Sequence, residues 1–138
     1  MKGFQIIADF HGCTCDDALL QEVSRLQALC LGACGQAGLT VVTQAFHQFG
    51  DSTRPGGANG AVVLAESHLA VHTWPELRAV TLDVYVCNVN QDNGERVKAL
   101  YAALHLAFQP RQVQAQTLQR GDLVRQENQA SADAAANV

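Results

Sequence analysis

Most of the segments that favour β-strand in this chain follow one another with no helical pattern between them. The predicted strands are residues 4–11, 39–49, 61–65, 68–74, 80–87 and 112–119. Strands that adjoin in sequence pair most easily as antiparallel neighbours, because a parallel pair needs a long crossover connection. The run from residue 39 to residue 87 therefore favours a largely antiparallel sheet.

Two segments show the pattern of an amphipathic helix. Residues 16–37 carry one apolar stripe at steps of four and three, formed by Leu19, Val23, Leu26, Cys30, Ala33 and Ala37. Asp92 and Glu95 have the spacing of a capping box, which predicts that a second helix begins there. We predict an α+β fold: a two-layer α/β sandwich with a mostly antiparallel sheet and two helices on one face.

The predicted limits of the domain are set by where the pattern of strands and helices ends in the sequence. Residues 50–60 are dense in turn formers and predict a loop, and no segment resembles a linker between domains. Residues 1–121 are predicted to form a single domain. Residues 122–138 are polar and rich in alanine, so we expect a flexible tail.

Composition excludes several classes of function. A net charge of −4 leaves no broad basic surface for nucleic acid. The chain contains no run of eighteen apolar residues, so no membrane span is predicted. The first residues resemble a strand more than a signal peptide, so we expect a cytoplasmic protein. The five cysteines are an odd number, which argues against a disulfide framework. Cys13 and Cys15 match no strong zinc spacing, so no metal site is predicted.

One short segment concentrates reactive side chains. Ser67 stands between Glu66 and His68, His72 follows five residues after the serine, and Cys87 follows twenty residues after it. This pattern offers a hydroxyl nucleophile, two possible bases and a thiol on adjacent predicted strands. Each of these residues alone would also fit a structural role, so the argument for chemistry rests on their combination.

That combination resembles a known family. Glu-Ser-His, then His-Thr-Trp-Pro-Glu, then Asp-x-x-x-Cys, is similar to the self-processing segment of bacterial and archaeal S-adenosylmethionine decarboxylases. The resemblance covers about residues 4–121. It implies self-cleavage between Glu66 and Ser67, which would give a β chain of residues 1–66 and an α chain of residues 67–138. Ser67 would become a pyruvoyl group at the new N-terminus.

The resemblance also implies roles for other residues. The pyruvoyl group would form a Schiff base with the substrate amine and accept electrons as carbon dioxide leaves, with no metal or soluble cofactor. Cys87 would return a proton to the substrate, and His72 would assist processing. Phe49 would stack on adenine, and Glu76 would bind the ribose hydroxyls. The product would be decarboxylated S-adenosylmethionine, the aminopropyl donor of polyamine synthesis, made by a homodimer with active sites at the interface.

Two departures from the family pattern leave alternatives open. The family carries a serine eight residues before the cleaved serine, where this chain has Asn59, so Asn59 is a candidate for a part in processing. His68, next to the cleaved serine, is either a second candidate or an ordinary strand residue. The predicted loop Gly50–Gly60 is longer than usual, and a changed loop can mean a changed substrate, so decarboxylation of arginine or ornithine is an alternative. Asp51 in this loop would suit either S-adenosylmethionine or a slim cationic amino acid. A further alternative is an unprocessed, inactive homologue that regulates a partner subunit.

Overall fold

The computed structural model describes residues 2–88 and 92–121. The strands are β1 (Lys2–His11), β2 (Val41–Gly50), β3 (Pro55–Leu64), β4 (Ser67–Trp74), β5 (Ala79–Asn88) and β6 (Gln112–Gly121). The helices are α1 (Asp17–Gln21), α2 (Val23–Gln36), α3 (Gly94–Phe108) and a short 3₁₀ helix at Pro75–Leu77. The predicted tail, residues 122–138, lies outside the described residues.

The six strands form one sheet in the order β2-β3-β4-β5-β1-β6. Every neighbouring pair is antiparallel. The strands β2 to β5 pair in chain order, as their adjacency in the sequence predicted, whereas β1 lies between β5 and β6. The prediction of an α+β fold with an antiparallel sheet is confirmed. Among the helices of residues 2–88 and 92–121, none has the length and apolar content of a membrane span.

The core lies between the sheet and the helices. The strand side chains that point towards the helices are buried, and they include Ile6, Ala8, Phe10, Leu69, Val71, Val80, Leu82, Val84 and Val86. The helices contribute Leu20, Leu26, Cys30, Leu100, Leu104 and Phe108. Because side chains alternate along a strand, the other face of the sheet carries a different set, and there His68, His72 and Trp74 are exposed. We call this second surface the open face.

The prediction of a single helix at residues 16–37 is wrong in one respect, because the structure has two helices there, α1 and α2. Glu22 has an extended backbone, with φ −100° and ψ 115°. The Gln48 carboxamide bridges the break: its oxygen accepts a hydrogen bond from Val23 N–H (2.8 Å), and its nitrogen donates to the Gln21 carbonyl (2.6 Å). A tertiary contact thus replaces the helical bonds, and helical periodicity could not predict it.

The predicted loop at residues 50–60 is mostly strand. β3 begins at Pro55, so only the turn Asp51–Arg54 separates it from β2. Gly57 and Gly60 are not turn residues. A Cβ on Gly57 would lie 2.0 Å from a carbonyl oxygen of β4, and one on Gly60 would lie 2.1 Å from an aromatic ring of β2. These glycines permit close approach between neighbouring elements, which explains why the composition suggested a loop.

Helix α3 begins without the predicted capping box. Asn93 occupies the N-cap position, and no side chain caps the helix there. Asp92 instead accepts a hydrogen bond from Gly94 N–H at 2.8 Å. The apolar face of the helix packs into the core, with Val97, Leu100, Leu104 and Phe108 buried.

Candidate active site

Ser67 is the first residue of β4, and its side chain points towards the helical layer. The residue is only 9% exposed, and its hydroxyl has no hydrogen-bond partner among the described residues. Leaving a buried hydroxyl unpaired costs about 1–3 kcal/mol, so the position needs an explanation. The hydroxyl is not engaged in stabilising the fold, which leaves it free to act as a nucleophile.

The carbonyl of Glu66 precedes this hydroxyl in the chain. Its oxygen accepts a hydrogen bond of 3.0 Å from Cys87 N–H, which extends the β4–β5 ladder beyond the pair Ser67–Val86. An N–H donor at this place stabilises negative charge on the oxygen when a nucleophile adds to the carbonyl carbon. The structure therefore brings Glu66, Ser67 and Cys87 together at one end of β4. We call this end the junction.

A small cavity of about 60 Å³ opens beside the junction. It is lined by Leu39, Thr40, Leu64, Ala65, Glu66, Ser67, Asn93 and Arg96. A polar cavity of this size can hold water. Sequence reasoning missed Asn93 and Arg96, because they belong to no motif and reach the junction only through the packing of α3.

A larger groove of about 310 Å³ lies at the other end of β4. Its lining is Phe49, Gly56, Gly57, Ala58, Asn59, His72, Thr73, Trp74 and Glu76. The rings of Phe49 and Trp74 are 47% and 43% exposed, which is unusual for large aromatic side chains and leaves surface for a flat ligand. The groove thus contains the predicted binding residues Phe49 and Glu76. Trp74 belongs to the quoted motif but was not assigned a role from the sequence.

Asn59 and His72 are neighbours in this groove. They lie directly opposite each other in the register of β3 and β4. His47 of β2 pairs with Asn59 on the other side, and its ring centroid is 4.7 Å from that of Phe49, in an edge-on arrangement. Two of the three residues that the sequence linked to processing, Asn59 and His72, are therefore side by side in the groove, whereas His68 does not line it.

One chain does not bring His72 to Ser67. The two residues are five positions apart on the same straight strand, which separates their Cα atoms by about 17 Å. Their side chains also point to opposite faces, since Ser67 is buried towards the helices and His72 is exposed on the open face. A processing role for His72 on Ser67 therefore cannot operate within a single chain in this arrangement.

His68 belongs to a polar cluster on the open face. Its Nε2 lies 3.8 Å from Asp83 Oδ1, and its ring centroid is 5.3 Å from that of Tyr85. Gln5 donates a hydrogen bond of 2.7 Å to Asp83, and the Arg120 guanidinium lies 5.2 Å from the centre of the Tyr85 ring. These contacts connect His68 to β5, and through Asp83 and Tyr85 to β1 and β6.

Asp51 is engaged by its own turn. Its carboxylate accepts hydrogen bonds from the Thr53 N–H (2.8 Å), the Thr53 hydroxyl (2.6 Å) and the Arg54 N–H (2.9 Å). These bonds, led by that of the Thr53 hydroxyl, lower the pKa of Asp51. The residue does not line the groove, so the carboxylate available to a ligand there is that of Glu76.

The cysteines outside the junction are poor nucleophiles. Burial raises the pKa of Cys30 to about 12, and that of Cys34 to about 11. Burial also raises the pKa of Cys13 to about 11, and the pKa of Cys15 is raised as well. In residues 2–88 and 92–121 there is no cluster of three or more His, Cys, Asp or Glu side chains arranged to hold a metal ion.

The chain is similar to known proteins over nearly its whole described length. The family model for S-adenosylmethionine decarboxylase matches residues 4–121. The S-adenosylmethionine decarboxylase proenzyme of Thermoplasma volcanium is 39% identical over 125 residues, which are 91% of this chain and 88% of that protein. The corresponding proenzyme of Aquifex aeolicus is 35% identical over 133 residues, 95% of this chain and 90% of that protein.

A solved structure is similar as well. The crystal structure of the adenosylmethionine decarboxylase from Aquifex aeolicus aligns with a TM-score of 0.74 and 31% identity, over 86% of this chain and 90% of that one. The family model, the relatives and the shared fold all cover nearly the whole described domain. The chain therefore belongs to the S-adenosylmethionine decarboxylase family.

Proposed function

We propose that this chain is a self-processing decarboxylase that converts S-adenosylmethionine to its decarboxylated form for polyamine synthesis. The observation that carries the proposal is the buried, unpartnered hydroxyl of Ser67 next to a carbonyl that already accepts the Cys87 N–H. Within the family found above, these atoms have the chemistry that self-cleavage requires.

The cleavage begins with Ser67 Oγ adding to the Glu66 carbonyl carbon. The C–N bond then breaks and the hydroxyl proton passes to the nitrogen, so the amide becomes an ester. Removal of the α-proton of residue 67 expels the Glu66 carboxylate by β-elimination. The dehydroalanine that remains takes up water and loses ammonia, which leaves a pyruvoyl group at residue 67. The products are residues 1–66 and 67–138.

The junction suits a pyruvoyl group, because the ketone would form at residue 67, which the fold already buries. A pyruvoyl group supplies the electron sink for decarboxylation of an α-amino acid. Cys87 follows Val86, the strand partner of Ser67, by one residue, and we propose its thiol as the group that returns a proton to the substrate. The proposal includes no metal ion and no separately bound cofactor.

The groove favours S-adenosylmethionine over a slim substrate. Its exposed Phe49 and Trp74 rings can hold a flat base, and such rings also attract a cationic sulfonium. Glu76 offers a carboxylate to ribose hydroxyls. Arginine or ornithine would leave much of this aromatic surface uncovered, and Asp51 does not line the groove to compensate.

A second copy of the chain would complete the site. The groove and the junction lie at opposite ends of β4, so one substrate cannot occupy both within one chain. If two open faces pack together in opposite directions, the groove end of β4 in one protomer crosses the junction end of β4 in the other, and His72 and Asn59 approach the partner's cleavage site from its open face. Ile7, Val63 and Leu118, exposed by 40%, 44% and 40%, are apolar positions that such packing would cover. We therefore propose a homodimer of cleaved protomers, and a cytoplasmic location remains our prediction.

The test is an intact mass spectrum of the purified protein, followed by carbon dioxide release from S-adenosylmethionine, arginine and ornithine in separate reactions. We expect two chains that divide after Glu66, and release from S-adenosylmethionine. Two chains with carbon dioxide release from only arginine or ornithine would show that this amino acid, and not S-adenosylmethionine, is the substrate. A single uncut chain without release would favour the inactive regulatory subunit and would implicate Asn59.

Ser67→Ala should abolish both cleavage and turnover, because alanine has no hydroxyl to form the ester with Glu66 and therefore no group that β-elimination can expel. The measurement is the same mass spectrum and the same release assay. Decarboxylation by this uncut variant would contradict the proposal.

A further inference from the structure

Asn93 occupies a helix N-cap position without performing the usual task of an N-cap. Asparagine is favoured there because its side-chain oxygen can accept a backbone N–H of the first turn. In α3 this bond is missing from the described contacts, although Asn93 is only 2% exposed. A buried amide that does not cap its own helix must have its bonds elsewhere.

Those bonds go to both sides of the cleavage junction. Asn93 Nδ2 donates to Glu66 Oε2 at 3.0 Å and lies 3.4 Å from the carbonyl oxygen of Cys87. Glu66 supplies the carbonyl that is attacked, and the Cys87 N–H donates to that carbonyl. One amide group therefore contacts both residues of the donor–acceptor pair.

The position of this amide is fixed from the other side. The backbone N–H of Asn93 donates a hydrogen bond to Asn88 Oδ1 at 2.9 Å. The backbone carbonyl of Asn93 accepts a hydrogen bond from Val97 N–H, in the first turn of α3, at 3.0 Å. Arg96 Nη1 lies 3.4 Å from Asn93 Oδ1, which orients the nitrogen towards the junction. Helix α3 thus holds the amide in place.

We propose that Asn93 is a positioning residue for self-cleavage. It acts through Glu66 and Cys87, by holding the scissile carbonyl and its N–H donor in the alignment that attack by Ser67 requires. The inference rests on the proposed self-cleavage. It assigns a role in maturation to a residue outside the motifs that carry the family resemblance.

Asn93→Ser is the variant that separates this role from a structural one. Serine is as good an N-cap as asparagine, but its side chain is too short to reach Glu66. Full-length chain made by cell-free translation is sampled over time, and the ratio of cut to uncut protein is followed by intact mass. We expect cleavage about tenfold slower than in the unchanged chain, because a hydrogen bond to a charged group is lost, with an unchanged or higher melting temperature.

The matched control is Lys98→Ala, which removes an exposed ion pair with Glu95 on the same helix and should cleave at the unchanged rate. Cleavage of Asn93→Ser at the unchanged rate would overturn the inference, whatever its stability. If the unchanged chain itself stays uncut, it is the proposed function that fails.

A second pair of variants decides the matter if Asn93→Ser does not fold. Asn93→Asp places a carboxylate against that of Glu66 and should slow cleavage, whereas adding Glu66→Gln lets the new amide donate to the new carboxylate. The double variant is expected to cleave about tenfold faster than Asn93→Asp alone, since the pair is restored with its polarity reversed. Equal rates for the two would overturn the inference.

Discussion

The two ends of β4 differ in almost every physical property. At the junction, Ser67 is buried, the cavity is about 60 Å³, and a backbone N–H and a side-chain amide hold Glu66. At the groove, about 310 Å³ lies open between the exposed rings of Phe49 and Trp74. In the proposed function, the junction holds the peptide bond that is cleaved, and the groove binds the flat base of the substrate.

The difference teaches that one strand carries two incomplete sites. Bond rearrangement needs atoms held in one geometry and shielded from water, whereas ligand binding needs exposed surface. A short strand cannot fold back on itself, so in the proposed dimer the two ends cooperate between chains. The largest predicted effects therefore concern the relation between the ends, and smaller ones concern each end alone.

Cleavage should be rescued between chains. Ser67→Ala lacks the nucleophile, and His72→Ala should cleave about 100- to 10,000-fold more slowly because it lacks the proposed base. Co-expressed with different tags, the two variants should form mixed dimers in which the His72→Ala chain is cut and the Ser67→Ala chain is not. Mass spectra of tag-purified mixed dimers provide the measurement. Mixed dimers that remain uncut would show that the histidine acts within its own chain or not at all.

Cys87→Ala should separate maturation from turnover. The backbone N–H at position 87 is retained, so cleavage should continue, while kcat should fall about 100- to 10,000-fold for loss of the proton donor. Carbon dioxide release per cleaved chain measures this. Cys34→Ala, which removes another buried thiol, serves as the control and should retain kcat. A near-normal kcat for Cys87→Ala would exclude the thiol as the essential donor.

Phe49→Ala should weaken the groove alone. We expect KM for S-adenosylmethionine to rise about tenfold from lost ring contact, with kcat and the extent of cleavage little changed. The control is Leu106→Ala, an apolar side chain that is 74% exposed on α3 and lies outside the groove lining. A rise in KM for both variants would indicate a general loss of fold, and no rise for Phe49→Ala would remove Phe49 from the binding site.

The helical layer should limit stability at alkaline pH. Burial raises the pKa of Cys30 from 9.0 to about 12, so above pH 9 the unfolded chain releases a proton that the folded chain keeps. The stability is therefore complete below pH 9 and declines as pH rises towards 12. We expect the free energy of unfolding, from urea titration, to be about 1 kcal/mol lower at pH 10 than at pH 7 through this group. Cys30→Ala should show a smaller decline, and an equal decline would assign the effect to other groups.

The sequence predicted the strands well where their patterns are local. The predicted strand at residues 80–87 lies within β5, and the predicted strand at 61–65 ends one residue beyond β3, because both patterns are formed by adjacent residues. It failed at residues 55–60, where glycines serve close packing, and at Glu22, where Gln48 replaces helical bonds from a distance. Both errors arise from contacts between segments that are distant in the chain.

The residues of the candidate site also divide into those that local sequence patterns predicted and those that only tertiary contacts revealed. Glu66, Ser67, His72 and Cys87 could be found because the reactive side chains and their spacing lie in one short stretch. Asn93 could not be found, since its contact with Glu66 joins residues 27 positions apart and exists only when α3 packs beside the junction. Trp74 is visible in the motif, but its exposure in the groove is a property of the folded sheet.

By itself, the sequence determined the order of strands and helices, the family and the set of reactive side chains, because each depends on residue type and local spacing. Only the tertiary structure decided which of these side chains meet. Antiparallel pairing of β4 with β5 placed Ser67 beside Cys87, while the length and rigidity of β4 kept Ser67 far from His72. The spacing of residues in the sequence therefore identified the reactive side chains, and the extended geometry of β4 placed Ser67 at one end of the strand and His72 near the other.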